Sequence, residues 1–198
     1  RSIAWTGGAL QLELEGHGRD TGDGAIDLSR TIGWFTTRYP VALPGETGDL
    51  PAWLLAVKER ARAAAGRAMG YGLLRAATPP LTGARPQVSF NFLGDISRFG
   101  HAGLALVRLG AGRERAAQAA RPHRLAFNCW QEGGALVLRC EFGAGHDAAT
   151  IERLLDAVRA EAEACRVVAA QSARRYSPSD FAGLALSQDD LDTLIAFT

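Results

Sequence analysis

Strand-like and helix-like segments alternate along this chain, and the alternation restricts the folds open to it. Apolar and polar residues alternate at 9–14, at 87–93 and through 124–142, as they do in half-buried β-strands. Apolar residues recur every three or four positions at 49–65 and 147–165, as in amphipathic helices. Strands interleaved with helices, with one hairpin among them, predict an α/β sandwich with a mixed sheet.

The hairpin is predicted to turn at Gly133 and Gly134, because adjacent glycines accept the left-handed backbone of a tight turn. With that turn, the apolar face carries Phe127, Cys129, Leu138 and Cys140. The other face carries Asn128, Trp130 and Arg139. A further strand is expected at 34–43, and Pro40 predicts that its second half is either an edge or a bulge.

Capping residues mark the expected helix starts. Asp49 precedes the first helix, Asp147 the second, and Ser187 a last helix near the end of the chain. Pro51 suits the first turn of the first helix. The glycine-rich segment 66–72 predicts a tight turn that joins two helical segments.

Composition excludes several function classes. The 198 residues include 22 basic and 21 acidic side chains, and this near-neutral balance argues against a nucleic-acid groove. The 3 cysteines and 4 histidines do not occur at zinc-like spacing, so no metal site is expected. No apolar run is long enough to cross a membrane, and reducing cytoplasm is the expected compartment. The chain begins without Met close to a strand, which predicts a piece of a longer protein.

Glu15 is the first candidate for chemistry. It ends a strand and is followed by Gly16 and Gly18, which let a substrate approach the backbone closely. On pattern alone, a solvated loop glutamate is the commoner case. Likewise, a loop histidine such as His17 more often makes a structural hydrogen bond, as a strut for the loop, than acts as a catalyst. Arg19 suits an ion pair with Glu15 or a nearby Asp.

Asn91 is the second candidate, since it places one amide in the middle of an apolar strand at 89–94. An unpaired buried amide costs on the order of a few kcal/mol, so the side chain needs partners. Either it holds a neighbouring loop in place or it lines a pocket. The sequence contains no nucleophile elbow and no zinc-protease motif, so hydrolysis by a nucleophile or a metal has no support.

Four separated motifs occur in the order, and near the spacing, typical of epimerization domains of nonribosomal peptide synthetases. They are Glu-Gly-His-Gly-Arg at 15–19, Arg-Thr-Ile-Gly-Trp-Phe-Thr at 30–36, Gly-Tyr-Gly at 70–72 and Phe-Asn-Phe-Leu-Gly at 90–94. Ser-Pro-Ser-Asp-Phe at 177–181 resembles the segment that closes those domains. The resemblance covers almost the whole chain.

The resemblance implies a two-layer sandwich lobe of the chloramphenicol-acetyltransferase type, with a mixed sheet and packed helices. Residues 1–198 would form the carboxy-terminal lobe, and the active site would lie in a channel shared with a similar amino-terminal lobe. In the family that other lobe brings a double-histidine motif, and no adjacent histidines occur in this sequence. The lobe alone is therefore expected to be inactive.

The reaction implied by the resemblance is inversion, from L to D, of the α-carbon of an aminoacyl or peptidyl thioester. The substrate is carried on the phosphopantetheine arm of a peptidyl carrier protein, and no cofactor is bound by the chain itself. The implied partners are the amino-terminal lobe and the carrier protein, without nucleic acid or membrane. The setting is secondary metabolism such as antibiotic biosynthesis.

Carried over by motif, Glu15 is the catalytic acid/base, and Arg19, Asn91, Phe92 and His17 support it or bind substrate. The motif leaves open whether one base acts or two. His17 and Trp34 resemble scaffold positions of the family. Phe92 stands where the family usually has tyrosine, which removes a hydroxyl, and Asp20 replaces a common glutamate.

Two alternatives remain open on the sequence. One is a degenerate lobe that docks a carrier protein without chemistry, and the loss of the hydroxyl at Phe92 favours it. The other is a condensation-type lobe that forms amide bonds. Condensation domains share the fold, but they do not normally carry the Glu-Gly-His-Gly-Arg stretch.

Overall fold

A computed structural model describes residues 10–19, 26–45, 49–79, 81, 85–99, 116, 119–171, 175–181 and 183–196. The side chains of residues 98, 99, 195 and 196 are outside this description. Three further parts of the chain lie outside the described residues: Asp20, the segment 21–25, whose glycines and aspartate predict a loop, and most of the segment 98–120, whose pattern is mixed.

The described part of the chain contains five strands and four α-helices. The strands are β1 (Gln11–Gly16), β2 (Thr37–Ala42), β3 (Val88–Asp95), β4 (Leu125–Glu132) and β5 (Ala135–Phe142). The α-helices are α1 (Leu50–Ala65), α2 (Ala68–Ala76), α3 (Ala148–Gln171) and α4 (Gln188–Ala196). Single 3-10 turns occur at Ile96–Phe99 and Pro178–Asp180.

The strands form one mixed sheet in the order β2-β1-β3-β4-β5. The three central strands β1, β3 and β4 are parallel, and β2 and β5 are antiparallel to their neighbours at the two edges. This confirms the predicted mixed sheet. It also confirms the edge position of β2, where Pro40 has no amide hydrogen to donate.

The two faces of the sheet differ in character. On one face, Tyr39 and Val41 of β2 are buried against Ala68 of α2, with Leu14 and Tyr71 packed beside them. The helices therefore cover this apolar face, as the sandwich prediction requires. The other face is polar, and by strand register it carries Glu13, Glu15, Arg38, Ser89, Asn91, Asn128, Arg139 and Glu141.

The hairpin forms as predicted. β4 and β5 turn at Gly133 and Gly134, whose φ angles of 56° and 80° are the left-handed values that glycine accepts without strain. Phe127 pairs with Cys140 and Cys129 pairs with Leu138 on the apolar face. Asn128 pairs with Arg139 on the polar face.

Two of the three predicted helix caps are confirmed. The Asp147 carboxylate accepts a hydrogen bond of 2.8 Å from the Thr150 amide, and the Ser187 hydroxyl accepts one of 3.2 Å from the Asp190 amide. Asp49 occupies the capping position of α1, but its side chain makes no capping hydrogen bond. It lies 4.0 Å from Arg175 instead.

The predicted turn at 66–72 is too long. Only Gly66 and Arg67 separate α1 from α2, and Gly70 and Gly72 lie within α2. The buried Ala68 packs into the apolar cluster on β2, and this packing outweighs the low helix propensity of the glycines. Among the helices of the described residues, none is long and apolar enough to cross a membrane.

Candidate active site at the end of strand β1

Glu15 is the penultimate residue of β1, and its carboxylate is held from both sides. Asn91 Nδ2 donates a hydrogen bond of 3.1 Å to Glu15 Oε2. Arg38 Nε donates one of 3.0 Å to Glu15 Oε1. The Glu15 side chain is 27% exposed, so it remains accessible while both oxygens are oriented.

Sheet register explains why Asn91 reaches Glu15. β1 and β3 are parallel, and Leu14 is paired with Phe90, so the next residues on each strand lie side by side on the polar face. The pattern left two roles open for Asn91: holding a loop or lining a pocket. The described contact is a third one, in which the amide orients the candidate acid/base itself.

Arg38 is the site residue that the sequence did not reveal. It lies directly opposite Glu15 in the antiparallel pairing of β1 and β2. Opposite charges at such positions attract each other across the strands. The pairing of Arg38 with Glu15 can be inferred only when the register of β1 and β2 is known. That register depends on the path of the chain between the two strands. The Arg38 side chain is 57% exposed.

The segment after β1 is held in a backbone shape that only glycine permits. Gly18 has φ +61°, and a Cβ atom there would lie 1.7 Å from the Phe35 carbonyl oxygen. His17 Nδ1 accepts a 3.1 Å hydrogen bond from the Arg19 amide. This contact agrees with the interpretation of His17 as a strut beside the site.

Arg19 secures the segment that precedes β2 and does not contact Glu15. Its guanidinium donates hydrogen bonds of 2.6 Å and 2.7 Å to the carbonyl oxygens of Leu28 and Thr31. It also lies 4.5 Å from the centre of the Phe35 ring, in a cation–π arrangement. Of the two ion pairs considered for Arg19, the one with Glu15 is therefore wrong, since Arg38 fills that place.

Phe92 and Trp34 lie apart from the Glu15 cluster. Phe92 follows Asn91 on β3, so it faces the other side of the sheet, and it is 56% exposed. The Trp34 side chain is 89% exposed, which is not the packing expected of a scaffold residue within this lobe.

A second carboxylate on the polar face is paired with a histidine. Glu13 Oε1 lies 3.0 Å from His123 Nε2, and the two side chains are only 11% and 9% exposed. The pair ties β1 to the segment just before β4. No local pattern predicts it, because Glu13 and His123 are 110 positions apart in the chain.

Neither Cys129 nor Cys140 is suited to act as a nucleophile. Burial raises the pKa of Cys129, and burial together with the charge of Glu141 raises that of Cys140. Both thiols are therefore protonated at neutral pH, the unreactive form. Within the described ranges, no cluster of three or more His, Cys, Asp or Glu side chains is arranged to hold a metal ion.

The geometry around Glu15 suits proton transfer. A carboxylate that is fixed by two donors keeps lone pairs free to accept a proton from a substrate. The side chain is half-buried at the carboxyl end of a strand, in front of a glycine-rich turn. Glu15 and Asn91, two of the residues indicated by sequence, are brought together, whereas Arg19 and His17 shape the adjoining loop.

The chain is similar to parts of several very long synthetases. It is 35% identical to chondramide synthase cmdD of Chondromyces crocatus over 97% of its length. It is 33% identical to tyrocidine synthase 2 of Brevibacillus parabrevis and 31% identical to bacitracin synthase 3 of Bacillus licheniformis, over 97% and 93% of its length. It spans only 5%, 6% and 3% of these three relatives. No protein-family model matches.

Solved structures also share this architecture. The epimerization domain from the third module of tyrocidine synthetase B superposes with a TM-score of 0.68 at 32% identity, over 80% of this chain and 37% of that one. A condensation domain that releases the chain from the enacyloxin polyketide synthase gives a TM-score of 0.52 at 15% identity, over 89% of this chain and 36% of that one. The similarity to the condensation domain shows a shared fold only.

The fold is thus the chloramphenicol-acetyltransferase-like α/β sandwich that the motifs implied, with helices on one face of a mixed sheet. The similarity extends over most of the chain, including the strands that carry Glu15 and Asn91. Over most of its length, the chain is therefore similar to an epimerization domain and to parts of nonribosomal peptide synthetases, of which it spans only a small share.

Proposed function

We propose that this chain is the carboxy-terminal lobe of an epimerization domain and that Glu15 is its acid/base. The observation that carries the proposal is the hydrogen bond from Asn91 to Glu15, because it joins two separate epimerization motifs in one site. The substrate would be an aminoacyl or peptidyl thioester on the phosphopantetheine arm of a peptidyl carrier protein. The reaction would take place in the cytoplasm.

The proposed step is proton transfer at the α-carbon. The Glu15 carboxylate accepts the α-proton, the C–H electron pair moves into the thioester, and an enolate forms. A proton is then delivered to the opposite face of the α-carbon and the thioester carbonyl is restored, so that no redox partner is needed. The α-proton is a weak acid, so a positioned base and stabilisation of the enolate oxygen are both required.

The second proton donor is assigned to a histidine of the amino-terminal lobe, which would face Glu15 across the channel. Asn91 and Arg38 orient the carboxylate from the two neighbouring strands. The absence of a hydroxyl at Phe92 means that proton delivery cannot come from this position. A lobe that lacks its partner is expected to show no turnover.

The test is exchange of the substrate α-proton with deuterated solvent, measured by mass spectrometry on a carrier-bound thioester. It uses the complete domain, including the amino-terminal lobe, with Glu15 intact and as Glu15→Gln. The glutamine variant keeps the shape of the side chain but cannot take a proton. Loss of exchange by at least about a hundredfold is expected, since general acid–base catalysis contributes on that order or more.

Glu152→Gln on the outer surface of α3 is the matched control, and it should exchange as the wild type does. Equal exchange in the Glu15→Gln variant would contradict the proposal and move the base to the other lobe. No exchange in the wild type would favour a lobe that docks the carrier without chemistry. Amide formation with a second carrier would establish a condensation activity instead.

A further inference from the structure

A cavity lined by basic side chains opens at the opposite end of the sheet from Glu15. Its volume is about 460 Å³, and it lies among the segments that lead into β3, lead into β4 and follow β5. The basic side chains in its lining are Arg85, Arg121, His123, Arg124 and His146. We call this cavity the basic pocket.

The backbone around the basic pocket is ordered by hydrogen bonds between its segments. The Arg124 amide donates to the Gln87 carbonyl at 2.7 Å, which joins the approaches to β3 and β4. The His146 amide donates to the Gly143 carbonyl at 3.1 Å and closes the turn after β5. The pocket is therefore built on the ends of three neighbouring strands.

The charges of the basic pocket are only partly compensated. Arg121 lies 3.6 Å from Glu141, and His123 is paired with Glu13. Arg85 and Arg124 are exposed, and among the described residues neither lies within ion-pair distance of a carboxylate. The described lining residues include no Asp or Glu. Within this part of the chain, two guanidinium groups are thus available to bind an anion at a concave site.

The basic pocket is separate from the Glu15 site. Val88 pairs with Leu12 on β1, so Gln87 is level with Gln11, four residues before Glu15. At about 3.3 Å of rise per residue, the pocket begins roughly 13 Å along the strands from the Glu15 carboxylate position. Nothing in the proton-transfer proposal uses Arg85 or Arg124.

We propose that the basic pocket binds the phosphate group of a small phosphorylated molecule. Planar guanidinium forks match the oxygens of a tetrahedral phosphate with paired, charge-assisted hydrogen bonds. The volume of about 460 Å³ lies in the range of small-molecule sites and leaves room for an organic portion beside the phosphate. The ligand class is therefore a phosphate ester, although free phosphate shares the same recognition chemistry.

The test is isothermal titration of the complete domain, including the amino-terminal lobe, with adenosine 5′-monophosphate and, separately, with inorganic phosphate. We expect saturable binding of the ester that weakens as salt is added, because screening reduces the attraction of exposed charges. The Arg85→Gln/Arg124→Gln variant should lose at least about tenfold in affinity, as expected when hydrogen bonds to charged groups are removed. Arg85→Lys/Arg124→Lys should recover part of that loss.

Arg159→Gln/Arg166→Gln on the exposed side of α3 removes the same charge at residues that do not line the basic pocket and should bind as the wild type does. Circular dichroism of each variant establishes that it is folded. Tighter binding of adenosine 5′-monophosphate than of phosphate supports an ester ligand, and equal affinity supports free phosphate as the source. Absence of saturable binding of either ligand to the wild type overturns the proposal. Equal affinity of the Arg85→Gln/Arg124→Gln variant and the wild type also overturns it.

Discussion

Glu15 has two hydrogen-bond partners, and the two contacts contribute unequal free energies to its orientation. Arg38 is 57% exposed, and an ion pair in that setting contributes about 0–1 kcal/mol because water and salt screen it. Asn91 is partly buried, and a hydrogen bond to a charged group there contributes about 1.5–3 kcal/mol. The orientation of the carboxylate therefore depends more on the neutral amide than on the charged arginine.

Asn91→Ala should lower the rate of α-proton exchange in the complete domain by about 10–100-fold, because the carboxylate loses the donor that orients Oε2. The exchange assay with a carrier-bound thioester measures this loss. Asn128→Ala is the matched control, since Asn128 is the register partner of Asn91 on β4 and lies on the same face. An equal loss of exchange rate in Asn91→Ala and Asn128→Ala would show that Asn91 supports the reaction only by stabilising the fold.

Sequence motifs were sufficient to single out Glu15 and Asn91, because each lies within a short run of characteristic residues. The motifs did not reveal that Arg38 pairs with Glu15 or that Glu13 pairs with His123. Both of these contacts are created by strand pairing over long stretches of chain. A local pattern carries no information on which charged residues such pairing brings together.

At the scale of elements, α2 shows how packing overrides local preference. Gly70 and Gly72 favour a turn in the sequence, yet they lie within a helix whose Ala68 is buried against β2. The hairpin of β4 and β5 is the opposite case, since its alternation, its register and its glycine turn all indicate the same structure. Elements are predictable where local and tertiary preferences agree.

Gly70→Ala should stabilise the chain by about 1 kcal/mol, because alanine favours a helix interior and nothing lies within 4 Å of the added Cβ atom. Gly94→Ala has equal space but a φ of +78°, so it should destabilise the chain. Urea unfolding followed by circular dichroism measures both effects. A stability change of the same sign in the two variants would contradict the structure of α2.

The C-terminal segment is attached to α1 through a charged cluster. The Asp180 carboxylate accepts hydrogen bonds from Lys58 and, at 2.8 Å, from Arg62 of α1. It also accepts one of 3.0 Å from the Ser177 amide. The hydrogen bond from Lys58, followed by those from Ser177 and Arg62, holds the pKa of Asp180 well below its usual 3.8. The ionised carboxylate thus joins two distant parts of the chain.

A depressed pKa makes this attachment dependent on pH. The contribution of Asp180 to stability is fully present above about pH 3.8 and is lost as the pH falls toward the lowered value in the folded state. The thermal midpoint of Asp180→Asn should lie below that of the wild type at pH 7, and the difference should shrink below pH 3.8. Asp156→Asn, on exposed α3, should differ little from the wild type at either pH. A difference for Asp180→Asn that stays constant down to pH 2 would contradict this assignment.

For the whole molecule, the main feature is apolar surface left uncovered on several elements. Leu73 and Leu74 on α2 are 67% and 56% exposed, and Phe92 and Leu93 on β3 are 56% and 50% exposed. Large exposed apolar groups of this kind mark surfaces that are covered by another body. In the proposed domain, we expect the amino-terminal lobe to cover these side chains.

The isolated chain should therefore self-associate with rising concentration, and the amino-terminal lobe supplied in trans should suppress that association. Light scattering coupled to size-exclusion chromatography measures both behaviours. Leu73→Gln/Leu74→Gln should reduce association, since these side chains form part of the exposed surface. A monodisperse monomer at all concentrations, without affinity for the amino-terminal lobe, would contradict the expectation.

The hydrogen bond between Asn91 and Glu15 also has a consequence for folding kinetics. The two residues are 76 positions apart, and β2, α1 and α2 lie between them in the chain. Contacts that close long loops form slowly, because the entropy of the loop is lost before the contact is made. The carboxylate is oriented only after β1 and β3 have paired. In the proposed domain, recovery of activity during refolding should therefore follow the pairing of β1 with β3, and intermediates with helices but without this pairing should be inactive.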